Sequence, residues 1–310
     1  MKTMIYLISF LFCFQSHAKS EDGCQEAMRL SCQDVTVNLD EGTGFQNLSQ
    51  LALYGRQIIP DLKNEMIEVL KRYVSNQQIL NGMIDRIKKI EVVIDEKTDV
   101  MSYTHDFNRV NVGMLFFKEV NAPYRVHPSL FSFIQAVSHE IAHAVDPCLI
   151  QVPVGNTGSL PPLMDMFGLS LNQAISSYPI SSLQCLANSN VSVGIGTGEV
   201  DLEDPQKPEL NKPLCRATRL NESLSDYLAA EVLSALIQKR FQSLTRQQLI
   251  HGVANIYSIH CHAKSPAGDG PAMVHPNAAT RLAWIVLKQP VIRTALQCDL
   301  DLAEIKQYCH

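Results

Sequence analysis

The string Ser138-His139-Glu140-Ile141-Ala142-His143 sets two imidazoles four residues apart, with a carboxylate beside the first. On a helix, positions i and i+4 share a face, so both rings converge on one point. Imidazole nitrogens are preferred zinc ligands, and Glu140 is offset so that it can take a proton from a water that the metal acidifies. This spacing points to metal-assisted hydrolysis. Such a site needs a third protein ligand. A third histidine further along the same stretch is absent, because Asp146 and Leu149 stand where Gly and His would be needed. A later carboxylate is the other source. Glu222 and Asp226 lie one helical turn apart, flanked by Leu220, Leu224, Leu228 and Val232 on an apolar stripe. Glu222 is the candidate third ligand. Asp226 can accept a hydrogen bond from the far nitrogen of a ligand histidine, which fixes its tautomer and orientation. Asp146, close behind His143, is a second candidate for that supporting role. His275, followed by Pro276, is the candidate donor to an oxyanion. Arg281 either orients a carboxylate or contacts substrate. A buried helix with two satisfied histidines, or a solvated face bearing Glu222 and Asp226, would each be ordinary alone. Their succession in one chain favours the metal.

These residues need rigid elements to hold them. Residues 128–146 and 218–241 read as strong helices, and 245–260 and 277–287 as further ones; a short helix is expected from Leu300. Upstream, Leu62, Met66, Val69, Leu70 and Tyr73 recur at helical spacing, with Pro60 as a first-turn residue. A second helical stretch runs over 77–90. Ile90 to Ile94 reads as a strand, and the alternation beginning at Arg109 predicts another through Phe117. Residues 97–108 read as a turn region and 19–44 as irregular. Residues 147–216 form a long Pro/Gly/Ser-rich connection, which needs either a function or pinning.

Composition limits the rest. The chain has 310 residues, 46% of them hydrophobic, and a formal net charge of −5 with no long basic run. A nucleic-acid partner is not suggested. Lys2, the apolar run from Met4 to Phe14 and Ser16-His17-Ala18 read as a signal peptide, with the mature chain beginning at Lys19. That run is too short to span a bilayer, and no later segment is long and apolar enough. Of nine cysteines, Cys13 lies in the signal. The eight others form an even set, which in an exported protein suggests disulfides of undetermined connectivity; Cys148, Cys185 and Cys215 could pin the long connection. A secreted or periplasmic setting is expected.

Taken together, the two histidines with Glu140, Asp146, the Glu222–Asp226 pair and His275 with Arg281 resemble the gluzincin zinc metallopeptidases, which hold zinc with H-E-x-x-H and a downstream Glu. Residues 139–146 are similar to the corresponding helix of the neprilysin-like peptidases, and His275 to Cys298 to their downstream His/Arg segment. Met273 stands where those proteins carry an Asp. The His-Pro-x-x-x-x-Arg form also resembles integral-membrane or periplasmic peptidases with a later Glu ligand. The resemblance implies an α+β, thermolysin-like catalytic domain, mostly helical with a small sheet. It implies one Zn2+ per chain and a peptide or protein substrate lying along Arg109–Phe117 as an edge strand, with Asn108 or Asn111 on its backbone. The expected organisation is a signal peptide (1–18), an N-terminal helical region (19–89) and a catalytic domain (90–310) with a disulfide-pinned loop at 147–216. The expected activity is that of a secreted zinc metallopeptidase, an endopeptidase rather than an exopeptidase. The alternative is a catalytically silent metal-binding or interaction module on a peptidase scaffold, against which the intact Glu140 argues.

Overall fold

The computed structural model describes residues 22–31, 39–121, 128–146, 218–256 and 281–298. The expected signal segment, the 147–216 loop, His275, the helix expected from Leu300 and every cysteine except Cys24 and Cys298 lie outside these residues. In chain order the elements are α1 (Gly23–Ser31), α2 (Leu48–Tyr73), α3 (Gln77–Lys89), β1 (Glu91–Asp95), β2 (Met101–Thr104), β3 (Arg109–Gly113), α4 (Met114–Asn121), α5 (Leu130–His143), α6 (Thr218–Lys239), α7 (Arg246–Asn255) and α8 (Pro290–Leu296). A π-helical turn, Leu282–Val286, precedes α8. The expected α+β class holds: among the described residues helices dominate, with one small mixed sheet.

Helix α5 lies at the centre, with α2, α6, α7 and the sheet packed against it. Its sequence explains this. Phe131, Phe133, Ile134, Val137, Ile141 and Ala142 are all buried, as are the polar Ser132, Gln135, Ser138 and His139, and a helix buried on nearly every side is stable only when surrounded. Two glycines let its neighbours approach. A Cβ at Gly55 of α2 would stand 2.4 Å from the Phe133 ring, and one at Gly252 of α7 would stand 2.7 Å from the Phe131 ring. The first turn of α5 is completed by Ser129, whose side chain accepts from the Ser132 amide. This satisfies one of the amides that a helix start leaves over.

The sheet order is β1-β3-β2, with β1 parallel and β2 antiparallel to β3. Several expectations are corrected here. The strand from Arg109 stops at Gly113 and the chain turns into α4, because Met114 and Phe117 are buried at helical spacing, i and i+3. Residues 97–108 are more than a turn, since they contain β2. β3 is the central strand, paired on both sides, and is therefore no edge for a peptide. Asn111 donates to Ser102 Oγ at 3.3 Å and Thr104 Oγ1 at 3.0 Å on β2. Asn108, left-handed at φ 45°, accepts from the Tyr103 hydroxyl at 2.9 Å and donates to the Arg86 carbonyl at 3.0 Å. Both side chains are engaged in holding the sheet and its turn. Pro60 lies inside α2 rather than at its start. It is exposed, so water can take the carbonyl whose partner its missing N–H removes. The 19–44 segment, expected to be irregular, contains α1, which a Cys24–Cys298 disulfide ties to a point two residues past α8.

Candidate metal centre

His139 and His143 come from the last turns of α5, and Glu222 from the first turns of α6, the helix that packs most extensively on α5. The structure brings the three together. Their ligand atoms lie within 4.8 Å of one another. His139 Nε2 is 2.9 Å from Glu222 Oε2 and 3.0 Å from His143 Nε2, and His143 Nε2 is 3.5 Å from Glu222 Oε2. Two atoms each about 2.0–2.1 Å from a tetrahedral zinc would lie roughly 3.4 Å apart, so the spacing suits one ion. The imidazole planes are nearly perpendicular, at 85°.

The far nitrogens are held as well. Asp226 Oδ1 is 2.8 Å from His139 Nδ1. An ionised carboxylate can only accept, so Nδ1 carries the proton and Nε2 presents its lone pair toward the cluster. Without a positive charge between them, that lone pair would face a carboxylate oxygen and a second imidazole nitrogen. The cluster can therefore hold a cation, either a proton or a metal ion. Burial disfavours a charged His139, yet the Asp226 and Glu222 carboxylates outweigh it and push the imidazole up to about 10. Asp226 is fully buried. Burial works against its charge, but the Arg281 guanidinium and His139 hold it well below the usual carboxylate range. Arg281 grips both its oxygens at 2.6 Å. Of the two roles expected for Arg281, orienting a carboxylate is the one its geometry fits. Gln135 of α5 adds a donor to the Asp226 carbonyl at 3.2 Å.

One partner went unread in the sequence. Ser225 Oγ lies 3.1 Å from His143 Nδ1. Ser225 sits three residues after Glu222 and so shares its face of α6, but that spacing alone does not single out a serine. Asp146, given a supporting role from sequence, is buried just past the end of α5. Glu140 is partly buried. His275 lies outside the described residues. Comparison with models of known protein families finds no match, and comparison with curated proteins finds none either.

Proposed function

We propose that this protein is an exported zinc metallopeptidase, an endopeptidase with a gluzincin-type, thermolysin-like catalytic domain. The observation that carries the reading is the convergence of His139 Nε2, His143 Nε2 and Glu222 Oε2 from two helices, with Glu140 next to the first ligand. Two imidazoles and one carboxylate make a donor set that suits zinc and leaves a position open. A bound zinc would supply a Lewis acid that polarises a carbonyl and makes water acidic near neutral pH. His139, His143 and Glu222 would hold it. Asp226, clasped by Arg281, keeps the proton on His139 Nδ1, and Ser225 steadies His143. Glu140 takes the proton of the attacking water and passes it to the leaving amine nitrogen. His275 donates to the oxyanion that forms on the scissile carbonyl. With β3 in the middle of the sheet, the edge offered to an extended peptide beside α5 is β2. The Cys24–Cys298 disulfide is compatible with export.

The test uses zinc-loaded full-length protein and a peptide library. Wild type cleaves at internal bonds. Glu140→Gln keeps its zinc and loses about 10²–10⁴-fold in turnover, the usual share of a general base. Equal turnover by Glu140→Gln excludes this mechanism. Zinc-loaded wild type that cleaves no peptide favours a silent metal-binding module.

A further inference from the structure

Far from the metal cluster, at the opposite end of α5, a second carboxyl group is buried. Glu41 is only 4% exposed. It belongs to the segment before α2, and it meets α5 and α7 at once. Its Oε2 accepts the Leu130 amide at 2.9 Å and the Phe131 amide at 3.4 Å. Its Oε1 faces the Ser129 hydroxyl in a short hydrogen bond and the Asn255 side-chain amide at 2.5 Å. Ser129 Oγ in turn accepts from Ser132 N at 3.0 Å, and Ser132 Oγ donates to the Asn255 carbonyl at 2.6 Å. The first-turn amides of α5 that have no partner within the helix are therefore all satisfied, two of them by one side chain from another part of the chain.

We propose that Glu41 is the positioning residue of the metal-bearing helix: its buried carboxyl group fixes the start of α5 against α7, and through the rigid helix fixes where His139 and His143 stand. The inference about the ligands rests on the proposed metal site; the grip on the helix start does not. The grip depends on protonation. Burial, opposed by the hydrogen bonds of Ser129, Asn255, Phe131 and Leu130, pushes the Glu41 carboxyl up to about 7. Among the described residues, the ionisable groups on the elements around it are few. Asp40 precedes it and is exposed, and His251 on α7 meets the Asp40 carbonyl with Nδ1 at 2.9 Å. Arg246 opens α7, and the ionisable groups of α5 are His139, Glu140 and His143 at its far end. None of these is among the influences on Glu41, which are burial and uncharged donors.

The sign follows. Opening the first turn of α5 returns Glu41 to water and to its ordinary value of 4.5. A carboxyl group with a raised value in the closed form favours closure most below that ordinary value. Closure is progressively lost as pH rises through about 7. The neutral acid keeps Oε2 on the helix amides and can donate to Ser129 Oγ, so it has a complete set of partners. Glutamine imitates it, with its oxygen toward Leu130 and Phe131 and its NH2 toward Ser129 Oγ, once the Asn255 side-chain amide turns over to present its oxygen instead of its NH2.

The test is amide hydrogen exchange at Leu130 and Phe131 in metal-free, full-length protein between pH 5 and 8.5, corrected for intrinsic rates. Zinc affinity is measured alongside, with the metal alone as probe. Wild-type protection should fall on the order of 10²-fold across this range, each pKa unit being tenfold. Glu41→Gln should stay flat. Glu41→Ala, with all three ligands intact, should bind zinc about 10–100-fold more weakly, and Glu41→Gln should restore it. Parallel pH profiles for wild type and Glu41→Gln overturn the proposal, as does wild-type zinc affinity in Glu41→Ala. Should Glu41→Ala fail to fold, the comparison of wild type with Glu41→Gln still decides it. Wild-type protein that binds no zinc overturns the metal reading and the link to the ligands, whereas the exchange profile tests the grip on α5 alone.

Discussion

Asp226 stands between an imidazole and a guanidinium that need it differently. Toward His139 it fixes a tautomer, and toward Arg281 it balances a buried guanidinium. Asp226→Asn keeps the shape and removes the charge. It is expected to weaken zinc binding about 10–100-fold, the scale of a hydrogen-bonded partner behind a ligand. It should also lower stability near neutral pH, by up to about 3–5 kcal/mol, the scale of a broken buried pair. The pH dependence has a definite sign. Asp226 is held below its ordinary value of 3.8, so its contribution is present above that value and is lost as pH falls below it. Chemical denaturation from pH 2 to 7 checks this: the variant should lack the part of the acid destabilisation that Asp226 contributes, and a variant as stable as wild type at pH 7 would count against the pair. At this scale much was legible in sequence. The two histidines were legible from their spacing, because helical periodicity converts sequence distance into a shared face; Glu222 and Asp226 became candidates only because such a pair needs a third ligand and they follow it on an apolar stripe. The Ser225 contact was not legible, because a lone serine carries no signal until the facing helix is known.

Among the elements, α5 is the one whose placement matters most, and α7 sets it closely. A methyl group at Gly252 would meet three atoms of the Phe131 ring at 2.7, 2.7 and 2.9 Å, and that ring also packs on Phe241 at a centroid distance of 5.5 Å. Two effects compete in Gly252→Ala. Alanine gains about 1 kcal/mol of helix propensity. Overpacking a full core costs about 1–3 kcal/mol. With contacts this short to a fully buried ring, overpacking should win, and the variant should melt at a lower temperature than wild type; an unchanged or raised Tm would show that α7 can move away. α5 itself was readable, since apolar residues recur at helical spacing from Leu130 to Ala142. Other elements were hidden for identifiable reasons. β2 is four residues, Met101 to Thr104, and its alternation is too short to stand out from a turn. Pro60 masked the first turns of α2, because an exposed proline inside a helix looks the same in sequence as one at its start. The β3–α4 junction was obscured because Val112, Gly113 and Met114 are buried in succession, so the change of period shows only in which later side chains face the core.

Across the whole molecule, the candidate site depends on residues brought together from distant parts of the chain. His139 and Glu222 are 83 residues apart, and Asp226 and Arg281 are 55 apart. The disulfide joins Cys24 to Cys298 across 274 residues, linking the first described helix to the end of the last. These long-range pairings could be guessed from sequence only through the chemistry they would serve. That chemistry is also the most direct thing to measure. After dialysis against zinc and removal of unbound metal, wild-type protein should hold about one zinc per chain, and Glu222→Ala and His143→Ala should each lose it, because a three-ligand site does not survive as two. Stoichiometric zinc at wild-type affinity in Glu222→Ala, or no zinc in wild type, would contradict the account.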